Sequence, residues 1–257
     1  MAFVTSDPIE DNENQFCSLW TTFQRIDDCA NLFLNDKLND DYFFNKLNRL
    51  DSCLDVGMTL DKASDICAKN ECDLYVHIPD VSHDDYLTDL LRGRGFKTLD
   101  KLNVLKTSNQ FGSRNEGQYG RPVKIEVHME SELWVMIFCE AFSVPEWRLE
   151  TSKIIKQNIG TFVLAIARLP DSGNIPVGCM LLYKYQDVTG LYCLGVLNRY
   201  RLQGIATKLI EYAASSMRLM NTKNLIVHSL ASENTIDLYK KFGFELVQVK
   251  TIFVKRL

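Results

Sequence analysis

The 257-residue chain is informative first for what it lacks. No apolar run approaches the ~18 residues that a membrane-spanning helix needs. The start, Met1-Ala2-Phe3-Val4-Thr5-Ser6-Asp7, has no basic segment and turns acidic at once, so no secretory leader is expected. None of the eight cysteines (Cys17, Cys29, Cys53, Cys67, Cys72, Cys139, Cys179 and Cys193) forms a C-x-x-C pair. No Cys/His cluster has zinc spacing, so no metal site is expected. Cys139, Cys179 and Cys193 sit in apolar stretches, where a free cysteine acts as a small core residue. The cysteines therefore read as structural thiols in a reducing, cytoplasmic setting. A formal net charge of −4 gives no global positive field, which argues against a general nucleic-acid binder. Glycine is scarce early: between Met1 and Arg92 the only one is Gly57.

What is present is ordinary globular composition, 46% hydrophobic and 24% charged, in a length suited to two domains. Charge changes sign along the chain. Residues 1–106 hold 20 acids and 11 bases, whereas residues 107–257 hold 13 acids and 18 bases. The change falls on a Gly- and Ser-containing stretch, read as a linker at 107–121 between domains at 1–106 and 122–257. A basic second half suits an anionic ligand.

The halves also repeat. Asp73-Leu74-Tyr75-Val76-His77 parallels Asn224-Leu225-Ile226-Val227-His228. Each run is followed by a polar stretch, a helical pattern and a Gly-Phe pair, Gly95-Phe96 or Gly243-Phe244. Strand-like tails then follow, Leu102–Leu105 and Thr251–Val254. Two related strand–helix–Gly–strand units are the expectation.

Periodicity in the second half predicts strands at 123–129, 161–168, 176–185, 190–196, 225–230 and 244–255. Helices are predicted at 130–142, 146–158, 204–220 and 234–242. The class is α/β (α+β), a mixed sheet flanked by helices. Two segments carry chemistry. In the first, a strand ending at Leu194-Gly195-Val196 runs into Arg201-Leu202-Gln203-Gly204-Ile205-Ala206-Thr207 and at once into a helix. Helix starts leave unpaired N–H groups at the positive end of a dipole, and Gly204 and Ala206 let a phosphate approach them. It is neither a Walker loop nor a full Gly-x-Gly-x-x-Gly. In the second, Asn234 reads as a helix N-cap and Gly243 as its C′ residue, with Tyr239 one position off the apolar stripe of Leu238 and Phe242.

Together these segments resemble the GNAT superfamily of acyl-CoA-dependent N-acyltransferases. The family's Arg/Gln-x-x-Gly-x-Gly/Ala loop matches Arg201, Gly204 and Ala206, and its Asn…Tyr…Gly-Phe signature matches Asn234, Tyr239, Gly243 and Phe244. The resemblance covers roughly residues 122–257. It implies a GNAT fold, here expected as two tandem GNAT-like modules, with acetyl-CoA wedged where two strands splay and no metal. The backbone of Leu194, Gly195 and Val196 would pair with the pantetheine arm. Amides from Leu202, Gln203, Gly204, Ile205, Ala206 and Thr207 would hold the pyrophosphate, beside the positive charge of Arg201. Asn234 would anchor the pantetheine or cap its helix. Tyr239 would protonate the leaving thiolate during direct attack by an amine.

The resemblance leaves the acceptor amine, the general base and the oligomeric state (monomer or homodimer) open. Glu140 and Glu146 read as solvated charges, His228 as a satisfied structural histidine, and Trp147 as either pocket lining or packing. A non-catalytic acyl-CoA-binding or sensing protein is the alternative to an N-acetyltransferase. In the first half no loop matches: Leu54 stands three residues before Gly57, and Leu91 occupies the place of Tyr239. Asn35–Asn45 resembles the N-terminal loop of two-module members. The first half is thus expected to be a degenerate GNAT-like module. One acetyl-CoA per chain is predicted; a calorimetric titration reading two would refute the inert first module.

Overall fold

A computed structural model describes residues 7–80, 85–108, 122–127 and 131–257. Most of the expected 107–121 linker, and the end of the strand expected at 123–129, lie outside the described residues.

In chain order the elements begin with α1 (Pro8–Trp20), β1 (Thr22–Ile26), β2 (Ala30–Leu34) and β3 (Lys46–Asn48). They continue with α2 (Val56–Lys69), β4 (Leu74–Pro79), α3 (Asp85–Gly93) and β5 (Lys97–Thr107). The later half contains β6 (Lys124–Val127), α4 (Ser131–Phe142), α5 (Arg148–Gln157), β7 (Phe162–Leu169), β8 (Ile175–Tyr185) and β9 (Val188–Val196). It ends with α6 (Ile205–Met220), β10 (Asn224–Leu230), α7 (Ile236–Lys240) and β11 (Glu245–Lys255). The α/β class and mixed sheet expected from the sequence are observed.

The chain forms two compact units whose segments interleave. The first comprises Met1–Gln15, Lys106–His228 and Asp237–Glu245; the second comprises Phe16–Leu105, Ser229–Ile236 and Leu246–Leu257. Division at 1–106 and 122–257 treats each half as continuous, whereas here each unit takes in an end of the other half.

In the first unit the strand order is β10-β9-β8-β7-β6. β6, β7, β8 and β9 pair antiparallel, and β9 pairs parallel with β10. The amphipathic pattern of α6 buries Ile205, Leu209, Ile210, Ala213 and Met217. α4 is apolar nearly all round and buries Trp134, whose Nε1 donates to Met180 O at 2.8 Å. The helix expected from residue 146 begins instead with a 3₁₀ turn at Pro145–Trp147, because Pro145 supplies no N–H and suits a first turn.

In the second unit the order is β1-β2-β3-β4-β11-β5. The pairing copies the first unit: β1–β2 and β2–β3 antiparallel, then β3–β4 parallel at Lys46↔Tyr75 and Leu47↔Val76. The sequence repeat is therefore a repeat of structure. β11 pairs antiparallel with β4 over Lys250↔Pro79 to Lys255↔Leu74. Arg256 then reaches Asp73, Asp40 and Tyr75. Leu60, Ala63, Leu74, Val76, Leu91 and Phe96 form the apolar core.

One expectation for the cysteines is corrected. Cys29 and Cys53 form a disulfide that ties the β1–β2 turn to the loop before α2, while the other six are free. Its spacing of 24 residues hides it from any short-motif reading. A crosslink across such a loop stabilises by about 3–4 kcal/mol through the unfolded chain. Cys29→Ser/Cys53→Ser, or reduction with a dithiol, should lower unfolding stability by that order in urea titration. An unchanged midpoint would show that the bond carries no stability.

Candidate functional site

The site is built where β9 and β10 part. Their parallel register runs from Asn224↔Val188 to Val227↔Leu191 and stops, although β9 continues to Val196 and β10 to Leu230. On its other side β9 stays paired with β8, through a bulge that sets Cys193 and Leu194 opposite Met180. Cys193 adopts φ 52° there. A bulge twists and bends its strand, and here it falls where the ladder with β10 has ended. The backbone of Leu194, Gly195 and Val196 thus has β8 on one side and no β10 partner on the other.

Gly195 is needed for packing as well as for access. A Cβ there would lie 2.8 Å from the Phe142 ring and 2.9 Å from the Ala141 Cβ. α4 consequently ends directly against β9.

From Val196 the chain passes a 3₁₀ turn at Asn198–Tyr200 and enters the loop before α6. Gly204 takes φ 81° at the helix N-cap, a left-handed conformation that costs glycine nothing, and no side chain caps the helix. Lys208 N donates to Gly204 O at 3.1 Å, so regular helical bonding begins there. The N–H groups of Ile205, Ala206 and Thr207 precede it and have no intrahelical acceptor. Leu202 (φ 61°) holds the loop tip and is fully exposed. Ile205 is buried and fastens the helix start from beneath.

Arg201 does something the sequence did not reveal. Its Nε donates to Val196 O at 3.1 Å and its Nη2 to Ala141 O at 3.2 Å. The guanidinium therefore ties the loop to the ends of β9 and α4. Lys208 pairs with Glu211 at 2.8 Å.

The other repeat has a different helix start. The N-cap of α2 is Asp55, whose carboxylate accepts from Met58 N at 2.9 Å. A negative side chain already occupies the position where α6 leaves its amides open.

Tyr239 is buried in the first unit, its ring edge-on to Phe244 at 5.7 Å. Phe244 N and Phe242 N both donate to Tyr239 O, and Gly243 takes φ 69°, as expected of a helix C′ residue. Its counterpart Leu91 lies in the apolar core of the second unit. The N-cap expectation for Asn234 is corrected. Asn234 has φ 53°, closes a 3₁₀ turn at Ala231–Glu233, and donates through Nδ2 to Ser232 O at 3.2 Å. α7 starts later, at Ile236. Asn234 clusters with the second unit.

Glu140 and Glu146 are exposed, as read from the sequence, and Trp147 is half-buried. His228 is held through Nε2 by a partner that sequence reasoning missed. His228 Nε2 and Glu13 Oε2 share a 2.9 Å hydrogen bond, with both side chains buried. Nothing in the polar run Glu10–Gln15 signals burial, since Asn and Glu in a helix usually face water.

No described helix is long and apolar enough to cross a membrane. Among the described residues no group of three or more His, Cys, Asp or Glu could hold a metal ion.

Comparison with known proteins gives the site its context. Residues 158–246 match the family model described as an acetyltransferase (GNAT) domain. Over 98 residues the chain is 34% identical to an N-alpha-acetyltransferase 50 of Danio rerio, covering 36% of this chain and 58% of that protein. It is 33% identical over 98 residues to a probable N-acetyltransferase san of Drosophila melanogaster, covering 36% of this chain and 53% of that one. The chain thus spans little more than half the length of the curated relatives it matches. Among solved structures, a GCN5-related N-acetyltransferase from Kribbella flavida superposes with TM-score 0.67 at 13% identity, covering 96% of this chain and 94% of that one. A tandem GNAT protein from the clavulanic acid biosynthesis pathway gives TM-score 0.58 at 10% identity, covering 82% and 74%. The fold of both units is accordingly that of a tandem GNAT protein. The open helix start and the parted strands both fall within the residues that match the acetyltransferase (GNAT) domain.

Proposed function

We propose that this chain transfers an acetyl group from acetyl-CoA to a primary amine. The observation that carries this reading is the start of α6: uncapped amides, presented at a left-handed Gly204, immediately after a β9 edge that β10 has left. Those two features suit the two ends of one ligand, a pyrophosphate and an amide-bearing arm.

The residues present fit that ligand. Backbone amides of Leu202, Gln203, Gly204, Ile205, Ala206 and Thr207 would face the pyrophosphate at the positive end of the α6 dipole. Leu194, Gly195 and Val196 would bond the pantetheine amides as an added strand does. Arg201 would act mainly by holding this loop on Val196 and Ala141, with its charge nearby. Asn234 would assist the arm as the family motif implies. Acetyl-CoA supplies the acyl group as a thioester.

In the transfer, the amine nitrogen forms a bond to the acyl carbon and the carbon–sulfur bond breaks. The electron pair of that bond goes to sulfur, and the Tyr239 hydroxyl gives the sulfur a proton. Thiols titrate near 8.5 and tyrosine near 10, so the transfer suits a developing thiolate rather than a stable one. The attacking amine must lose a proton, and a water path to solvent suffices without a named base. The N-acetyltransferase names of the relatives support an amine acceptor.

Three substitutions test the assignment. Gly204→Asp should abolish acetyl-CoA binding in calorimetry, because it sets a carboxylate against the phosphates and strains φ 81°. Tyr239→Phe should bind acetyl-CoA normally and slow turnover by about 10²–10⁴-fold, the range of general acid catalysis. Unchanged turnover would remove the acid role. Arg201→Ala should cost about 1–3 kcal/mol of stability through the two lost carbonyl contacts, read by urea unfolding. A large loss of affinity at unchanged stability would instead make Arg201 a direct phosphate ligand.

A further inference from the structure

Asn12 and Glu13 of α1 are buried inside the first unit, far in sequence from the strands they touch. The last paired residues of β9 and β10 are Leu191 and Val227. The next residue on each strand, Tyr192 and His228, bonds to α1. Tyr192 Oη donates to Asn12 Oδ1 at 2.8 Å, and His228 shares its 2.9 Å bond with Glu13. The two rings stack, with centroids 5.8 Å apart and planes at 14°. Asn12 Nδ2 donates back to β9, at Val188 O, at 3.0 Å. Gly190 keeps the room for this: a Cβ there would come within 2.7 Å of Asn12 Oδ1 and 2.1 Å of the Tyr192 ring.

We propose that α1 sets the opening of the β9–β10 cleft, with Asn12 and Glu13 as positioning residues for the pantetheine arm. This rests on the function proposed above. The physical argument is one of competing bonds. Tyr192 and His228 are the next pair in the register, already stacked on one another, and each is tied to α1 by its own hydrogen bond. Any change in the separation of the strands at this step strains one of those two bonds. In a buried, low-dielectric network losing either bond is costly, so the strands stay apart at this step. The backbone of Leu194 to Val196, two residues on, then keeps its β10-side groups for the arm.

A role in opening the cleft differs from a merely structural one in which ligand it affects. The arm senses the cleft, whereas the phosphates sense the start of α6. The experiment titrates the full chain with acetyl-CoA and, separately, with adenosine 3′,5′-bisphosphate, which has phosphates and no pantetheine. Glu13→Ala and Tyr192→Phe should each bind acetyl-CoA about tenfold more weakly and the bisphosphate as the parent does. Glu13→Gln, which keeps a hydrogen-bond partner for His228, should restore affinity to within about twofold. Equal weakening for both ligands, or unchanged acetyl-CoA affinity with a lowered melting temperature, overturns the positioning role. If Glu13→Ala does not fold, Tyr192→Phe decides alone, since it removes only one hydroxyl. A parent chain that binds no acetyl-CoA overturns the proposed function itself. A parent that binds, with variants that bind equally well, overturns this inference alone.

Discussion

A parallel strand pair that stops part-way leaves backbone groups that need other partners, and the first unit is organised around that need. β9 satisfies one edge through β8 and bends at Cys193 and Leu194 where β10 leaves it. Buried amides and carbonyls without partners are costly, so such an edge persists only if something else meets it. The loop that follows continues the theme. Gly204 turns the chain into α6 without lending it a side-chain cap, which leaves a second set of donors open. Arg201, which reads as a ligand for phosphate, spends its hydrogen bonds on fixing the distance between these two sets. Rigid placement of unpaired donors is what an extended, doubly anchored ligand requires.

The internal repeat shows how few residues separate two different helix starts on the same strand pairing. Both units pair a run of antiparallel strands, four in the first and three in the second, and then one parallel strand reached through a helix. The difference lies in single residues. Asp55 caps α2 with a carboxylate, where Gly204 leaves α6 bare. Leu91 packs into an apolar core, where Tyr239 brings a hydroxyl. A phosphate at Asp55 would meet like charge at close range, and leucine offers no proton. The architecture survives both changes because neither touches the pairing of the strands, and fold and chemistry separate cleanly.

What could be read in the sequence follows from range. Gly204, Gly243, the strand before each helix and the helical stripe of α6 are set by neighbours within a few residues, and all stand where the pattern placed them. The same holds for the repeat, since each copy carries its own local signals. Long-range partners left no mark. Asn12 meets Tyr192 across 180 positions, and Glu13 meets His228 across 215. Their burial is invisible because polar residues on a helix ordinarily face water. Cys29 and Cys53 were likewise unpaired by any motif. Asn234 was legible as a cap but not as which kind: the residue types that start helices also favour the left-handed close of a turn.

The segments of the two units interleave along the chain. β11 hydrogen-bonds to β4 along six register pairs, and Arg256 anchors its end on Asp73. A piece limited to residues 122–257 keeps the loop and Tyr239 yet loses Asn12 and Glu13. It would leave Tyr192 and His228 without these buried partners, and β11 without either of its neighbours, β4 and β5, so that both its edges are open to aggregation. A piece limited to residues 1–106 would keep β4 and expose the edge that β11 covers. Each half therefore depends on a segment of the other, for strand pairing and for buried contacts such as that of Phe253 in the core of the second unit.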